Sequence, residues 1–495
     1  MRSIWFDLHS DSARPSGARL DGLQAQVVVA GAGLTGLATA VLLARSGQEV
    51  ILLEDRRVGA VTTGHTTAKL SLLQGSVYSE ILKRNSEEVL AAYLEGNREG
   101  QAWLTRYMDD RGIAYQRRDA WTFAMTQDGL KDLGAEFDAC HAVGLDLQQP
   151  AETELPFPVE GALRLPDQVQ IDPVAVLESL RTEFVEHGGR LFEGVRVTDA
   201  TSSSPVEVTT TRGTVTAGRL VLATGSPILD RGGHFAKLVP QRSYVTTYRV
   251  PGAIPQGMYL SVDEPTRSLR TVPTSDGELL MVGGNGHITG RADYESLAVE
   301  DLVAWTTRYF PGAELTHSWS AQDYQPHDRL PFAGPLPRGG GTIYAATGFN
   351  KWGMTNAIAA ALNLSQQILG GSMEWADTLN NRPVQPRTMM TGIKETAGVA
   401  GELVKEWATA ELKALPDEPP EEGDGVVGRD GVQPVGMSTV DGETCKVSGV
   451  CTHMGGVLRW NDAERSWDCP LHGSRFAADG TRLEGPAVED LEKLG

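Results

Sequence analysis

Cysteine is scarce in this chain: only Cys140, Cys445, Cys451 and Cys469 occur among 495 residues, too few and too unevenly placed for a disulfide framework. Long apolar runs are missing as well. None approaches the eighteen or more residues of a membrane span, and the opening "MRSIWFDLHSDSARPSG" has no apolar signal-peptide core, so a cytoplasmic address without a membrane span is expected. Nor does any basic cluster offset the net charge of −20, which makes nucleic acid and anionic membrane surfaces poor partners. A hydrophobic content of 40 % with 22 % charged residues describes a soluble globular chain, and its length calls for two or three domains.

From Ala25 the order is strand, glycine turn, helix, strand: "QVVVA", "GAGLTG", "LATAVLLARSG", "EVILLE". In that turn Gly31 permits the tight bend, Gly33 lets the backbone approach a pyrophosphate, and Gly36 lets the helix pack on the strand. Glu54 ends the second strand, where a carboxylate can accept both ribose hydroxyls of a dinucleotide. Glycine-rich turns are common in proteins, so the terminal acid and the flanking elements carry this reading. Further on, an amphipathic helix runs from Pro173 toward His187 and stops at Gly188-Gly189. "SYVTTYRV", "SLRTVPT" and "ELLMVGG" alternate as an antiparallel sheet distinct from the nucleotide unit, and "GTIYAATGFNKWGMTNAIAAALNLSQQILG" returns to strand, turn and helix. A helical stretch near Ile393 to Leu415 then leads into the exposed connector "PDEPPEEGDG".

"TTGHTTAKLS", "LVLATGSP" and "TGFNKWGMT", in that order after the glycine turn, resemble the flavin contacts of the D-amino-acid oxidase family of FAD proteins. The resemblance covers about Gln24 to Gly371. It implies an α/β (α+β) chain in which a two-domain, Rossmann-like FAD-binding fold is joined to an antiparallel-sheet substrate domain. Residues 1–24 become an N-terminal extension and 25–390 the oxidoreductase, divided into FAD-binding segments 25–75, 150–238 and 331–371 and substrate segments 76–149 and 239–330. The likeness puts Gly31, Gly33 and Gly36 on the pyrophosphate, Glu54 on the adenosine ribose, Val197 near the adenine, and Thr224 and Gly225 along the cofactor. Gly353 and Met354 open a helix whose amides face the flavin pyrimidine. Leu34, Thr35, Asp55, Thr63, Gly64, Thr66, Gly348 and Thr355 complete the implied cofactor contacts. His65 stands where some family members join a histidine covalently to the flavin; a noncovalent contact and an ordinary loop histidine are the other readings.

Near the C-terminus Cys451 and His453 form C-x-H, and Cys469 and His472 form C-x2-H. Each loop thus supplies one thiolate and one imidazole, a division that suits a 2Fe-2S cluster with both sulfurs on one iron and both ring nitrogens on the other. Zinc is the alternative, though it more often draws C-x2-C or H-x3-H pairs. "CTHMGG…WDCPLHGSRF…GTRLEGPA" is similar to a Rieske domain, a small all-β unit over 426–495 that follows a linker at 391–425. In respiratory members a cysteine pair stands at the positions of Gly456 and Leu471, and a tyrosine at that of Phe476; Ser474 keeps the hydroxyl expected to donate to a cluster sulfur. Cys445 lies outside both ligand pairs and is expected to be structural.

A flavin takes electrons in pairs with a hydride and such a cluster carries one at a time, so the two together convert hydride chemistry into single-electron traffic. The leading expectation is an FAD dehydrogenase acting on a C–N bond of an amine or amino acid. A small-molecule substrate and an external one-electron donor or acceptor are its partners. Lys351 beside the flavin helix is a candidate for polarising the ring, and Arg242, Tyr244, His287, Tyr324 and His327 are candidate pocket residues, Arg242 as a carboxylate clamp. A reductase fed through the cluster, and a redox sensor or electron-transfer module without a small substrate, remain as alternatives.

Overall fold

The structure is a computed structural model and describes residues 1–9, 17, 19–229, 231, 233–383, 414–431 and 433–494. Most of the helical stretch expected near Ile393 to Leu415 lies outside the described residues.

One sheet runs in the order Phe332–Pro335, Ile343–Thr347, Gly213–Leu222, Leu23–Ala30, Val50–Glu54, Arg190–Glu193. Its centre is parallel, Val27 opposite Val50 on one side and Arg219 on the other. The run "VVVA" is buried on both faces, as a central parallel strand must be. Val27 and Val29 face helices Leu34–Arg45 and Gly353–Ile368, while Val28 and Ala30 face the ribbon Val197–Ala200 and Val206–Thr210. Helix Pro173–Glu186 starts where Asp172 accepts hydrogen bonds from Val174 N (2.9 Å) and Ala175 N (3.2 Å) with proline in the first turn.

The second sheet has the order Glu314–Pro326, Leu238–Arg249, Gly277–Ile288, Arg267–Thr274, Met258–Ser261, Tyr115–Ala124, Gly161–Ile171, Lys69–Leu70. Two details differ from the sequence reading. Met258–Ser261 pairs parallel with Tyr115–Ala124, so this sheet is mixed. Lys69–Leu70 and Gly161–Ile171 also belong to it, although they fall in segments assigned to FAD binding; alternating apolar residues do not say which of two sheets a strand will join. The N-terminal extension is built in rather than loose: Ile4, Trp5 and Phe6 are buried, and Trp5 Nε1 donates to Thr66 O at 2.8 Å.

The C-terminal unit stacks a three-stranded sheet, Gly425–Asp430, Gln433–Val440 and Glu443–Ser448, on a four-stranded one, Arg459–Asn461, Ser466–Asp468, Arg475–Ala477 and Arg482–Glu484. Val447, Leu458, Trp467 and Phe476 fill its interior. Cys445 is half-buried in the last strand of the first of these sheets.

Candidate functional site

A cavity of about 590 Å³ runs between the two large sheets and reaches the C-terminal unit, whose Arg482, Leu483, Glu484 and Gly485 form part of its wall. Gly31 is held at φ +101°, and a methyl group there would stand 2.4 Å from Ala223 O. Only glycine fits so close an approach. Gly33 caps helix Leu34–Arg45, the amide of Leu34 donates to Thr63 Oγ1 (3.2 Å), and the Glu54 carboxylate accepts from Ala32 N (2.7 Å) and Arg56 N (3.0 Å). Burial pushes the Glu54 carboxyl up in pKa against those two amides.

Of the expected cofactor contacts, Gly31, Gly33, Leu34, Thr35, Glu54, Asp55, Thr63, His65, Thr66, Val197, Thr224, Gly225, Gly353 and Met354 line the cavity. Four do not. Gly36 is packed on the Gly31 carbonyl, 1.8 Å from where its own methyl would sit, so it serves helix packing. Gly64 lies against Phe6 and Gly59, and Gly348 turns at φ +77° against Pro326. Thr355 points into the helix interface, where its hydroxyl donates to Asn97 Oδ1 at 2.5 Å. A helical period of 3.6 turns this third residue of the helix away from the face that Gly353 and Met354 present.

His65 is buried, its Nδ1 bonded to Val61 O at 2.7 Å and its ring edge-on to Phe6. Burial lowers its pKa, which favours the neutral ring.

The candidate pocket residues divide in the same way. Lys351, Tyr244 and Tyr324 line the cavity. Lys351 sits at φ +68° with its amide donating to Asp323 Oδ2 (2.7 Å), and burial lowers its ammonium pKa against the pull of Glu264 and Asp323. Arg242 is not a carboxylate clamp in the cavity: its Nη1 meets Glu464 Oε2 at 2.9 Å and its Nη2 meets Glu484 Oε2 at 3.2 Å, both in the C-terminal unit. The ring of His287 lies 5.7 Å from that of Tyr244, outside the cavity wall. His327 is also outside, with Nε2 against Ala236 O at 3.1 Å. Arg242 and Tyr244 stand two apart on one strand with a bulge between them, and His327 lies just past the end of another, so strand alternation in the sequence could not say which of them reaches the cavity.

Several wall residues went unmarked in the sequence. Gln322 is the most telling, and it acts beside Tyr324, which the sequence did mark. Gln322 O accepts from Thr62 Oγ1 at 2.7 Å, its Nε2 donates to Gly473 O at 2.9 Å, and Tyr324 Oη donates to Gly485 O at 3.2 Å. Gly473 directly follows His472, and a methyl on it would strike Pro240 at 2.5 Å. The loop bearing Cys469 and His472 is therefore seated on the cavity wall; Arg291 Nε adds a bond to Pro470 O at 3.1 Å. Asp55, expected at the cofactor, is engaged by Arg196 (2.9 Å) and by Arg482 of the C-terminal unit.

Cys451 and Cys469 are buried and within hydrogen-bonding reach of each other, and the rings of His453 and His472 stand 5.1 Å apart at 87° with both Nδ1 atoms buried. No three His, Cys, Asp or Glu side chains among the described residues converge as a single ion would require. Two thiolates on one iron and two imidazoles on the other need no such point, so this donor set fits a 2Fe-2S cluster. Ser474 Oγ accepts from Ala487 N at 2.9 Å and reaches the Cys451 thiol, while Phe476 is fully buried.

The family model for FAD dependent oxidoreductases matches residues 26–367, and that for the Rieske [2Fe-2S] domain matches 416–495, beginning ten residues before the expected boundary. A putative Rieske 2Fe-2S iron-sulfur protein, YhfW of Bacillus subtilis (strain 168), is 29 % identical over 477 residues, covering 95 % of this chain and 93 % of that one. Among solved structures, glycine oxidase from Geobacillus kaustophilus superposes with a TM-score of 0.60 at 20 % identity, covering 71 % of this chain and 96 % of that one. L-proline dehydrogenase from P. horikoshii gives 0.58 at 16 %, over 72 % and 97 %. At these identities the structural likeness establishes the fold. No helix among the described residues is long and apolar enough to cross a membrane.

Proposed function

Because the chain belongs to the FAD dependent oxidoreductase family and closes with a Rieske [2Fe-2S] domain, we propose that it is a dehydrogenase acting on the C–N bond of a small amine or amino acid. Its electrons leave through the cluster for an external one-electron acceptor. When bound, FAD supplies a two-electron hydride acceptor and the cluster a one-electron carrier. The observation that carries the reading is the seating of the C-terminal unit on the cavity wall, with Gln322 bonded to Gly473 of the His472 loop and Tyr324 bonded to Gly485. Gln322 of the cavity wall thus also holds the backbone next to His472, and Tyr324 holds the Gly485 turn of the same unit.

Each remaining task falls to the chain's own groups. The glycine turn and the amides at the start of helix Leu34–Arg45 favour a pyrophosphate, and those at Gly353 and Met354 favour negative charge at the far end of the cavity. Leu260, Val262 and Trp352 give the substrate end an apolar lining beside Glu264 and Lys351, which suits a small polar molecule. Among the solved neighbours, glycine oxidase, L-proline dehydrogenase and an iminodiacetate oxidase from Chelativorans sp. BNC1 are all named for amino-acid or imino-acid oxidation, in keeping with a C–N substrate. Anaerobic mixing of the FAD-loaded protein with glycine, sarcosine, proline and simple alkylamines tests this. At least one should bleach the flavin; reduction by dithionite or ferredoxin alone would reverse the direction of electron flow.

A further inference from the structure

Lys69 is buried, lies on the cavity wall, and has no acidic partner among the described residues. Its Nζ donates to Tyr259 O at 2.6 Å and to Ser268 Oγ at 2.6 Å. An amine nitrogen has four tetrahedral directions. One holds Cε, two hold these hydrogen bonds, and the fourth is left for the cavity that Lys69 and Ser268 both line. The only charge acting on Lys69 among the described residues is the guanidinium of Arg270, which repels a second cation. Burial and that repulsion bring the Lys69 ammonium down to about 7.

The backbone that presents this side chain is held in an unusual form. Ala68, buried, stands at φ +55°, a conformation that a residue with a Cβ adopts only when its surroundings impose it. Those surroundings are Arg270, whose Nη1 donates to the carbonyls of Thr67 (2.7 Å), Ala68 (3.0 Å) and Ile171 (3.2 Å), with Trp5 beneath the guanidinium. Lys351, the other lysine on the wall, differs in kind because Glu264 and Asp323 favour its charged form.

We infer that Lys69 is a catalytic base: as an uncharged amine with both hydrogens committed to Tyr259 and Ser268, it takes a proton from the ammonium nitrogen of the substrate. The inference rests on the amine reading above. In this step a substrate N–H bond breaks and an Nζ–H bond forms, and no electrons change hands. The neutral amine that results has the nitrogen lone pair that a departing hydride requires, and the proton on Lys69 later returns to solvent. The sign follows from burial: the base is lost as pH falls below about 7.

Two measurements on the full-length, FAD-loaded protein test this. Competitive labelling with acetic anhydride across pH, read by peptide mass spectrometry, should give Lys69 a midpoint near neutrality while exposed lysines titrate near 10. Lys69→Arg keeps a long donor but is always charged. With glycine, sarcosine or proline as reductant, it should bind FAD normally and reduce it about 10²- to 10⁴-fold more slowly at pH 7. The rate should recover as pH approaches the amine's own pKa. A labelling midpoint near 10, or full-speed reduction by the Lys69→Arg protein at pH 7, overturns the inference, since a purely structural lysine would be served by arginine. A neutral midpoint with no amine bleaching the flavin overturns the amine reading and, with it, the role of Lys69 as base toward an amine. That failure is distinct because the labelling midpoint survives it.

Discussion

Arg242 of the substrate sheet and Glu484 of the last C-terminal strand form an ion pair, Nη2 to Oε2 3.2 Å, with the arginine side chain 1 % exposed. Glu464 meets the same guanidinium, and Arg475 bonds Glu464, Glu484 and Asp468. A buried charge network therefore ties the two units together, and removing one member leaves the others without compensation.

Replacing Arg242 with methionine should destabilise the docked state by about 3–5 kcal/mol, the usual consequence of leaving a buried charge unpaired. Hydrogen exchange of Arg459–Glu484 should speed up and electron transfer between the centres slow down, while FAD content stays unchanged because Arg242 does not line the cavity.

Acid should undo the same junction. Burial raises the Glu464 carboxyl, but Arg475 and Arg242 outweigh it and hold the group at about 2. A carboxylate depressed in the folded state stabilises it above its unfolded pKa of about 4.3, and that contribution, roughly 3 kcal/mol, disappears as pH falls from about 4 toward 2. Thermal unfolding followed across that window should show the loss in the native protein. In Glu464→Gln the slope should be shallower.

Gly31→Ala should yield protein that purifies without flavin or fails to fold, because the added methyl meets Ala223 O at 2.4 Å on a backbone held at φ +101°. Flavin absorbance per chain is the measurement. Normal FAD content would show that the turn can shift.

The cluster should respond separately. Cys469→Ser should remove iron and acid-labile sulfide while leaving the flavin bound. Ser474→Ala keeps the cluster but deletes the hydroxyl beside Cys451, and its midpoint potential should fall by on the order of 60 mV, the worth of a hydrogen bond of about 1.4 kcal/mol for one electron. An unchanged potential would place that hydroxyl elsewhere.

The sequence was most legible where chemistry is local. Gly31, Gly33 and Glu54 belong to a single strand-turn-helix-strand, and Cys451, His453, Cys469 and His472 to two short loops, so spacing along the chain is nearly spacing in space. Arg242, His287 and His327 misled because a pocket assembled from distant strands depends on which face another element covers, and Arg242 is covered by a unit more than two hundred residues away. Gln322 carried no signal at all, and Lys69, though inside the flavin-like segment "TTGHTTAKLS", was not singled out from it. A glutamine in a strand and a lysine after a loop take their roles from partners at Gly473, Tyr259 and Ser268, which no local pattern announces.

Electron passage from substrate to cluster is tested most directly by anaerobic rapid freezing after the FAD-loaded, cluster-loaded protein is mixed with the amine that bleaches it, followed by electron paramagnetic resonance. The Rieske signal should grow in the frozen samples as the flavin absorbance falls, and Arg242→Met should delay it. Complete bleaching with the cluster still oxidised would contradict the account.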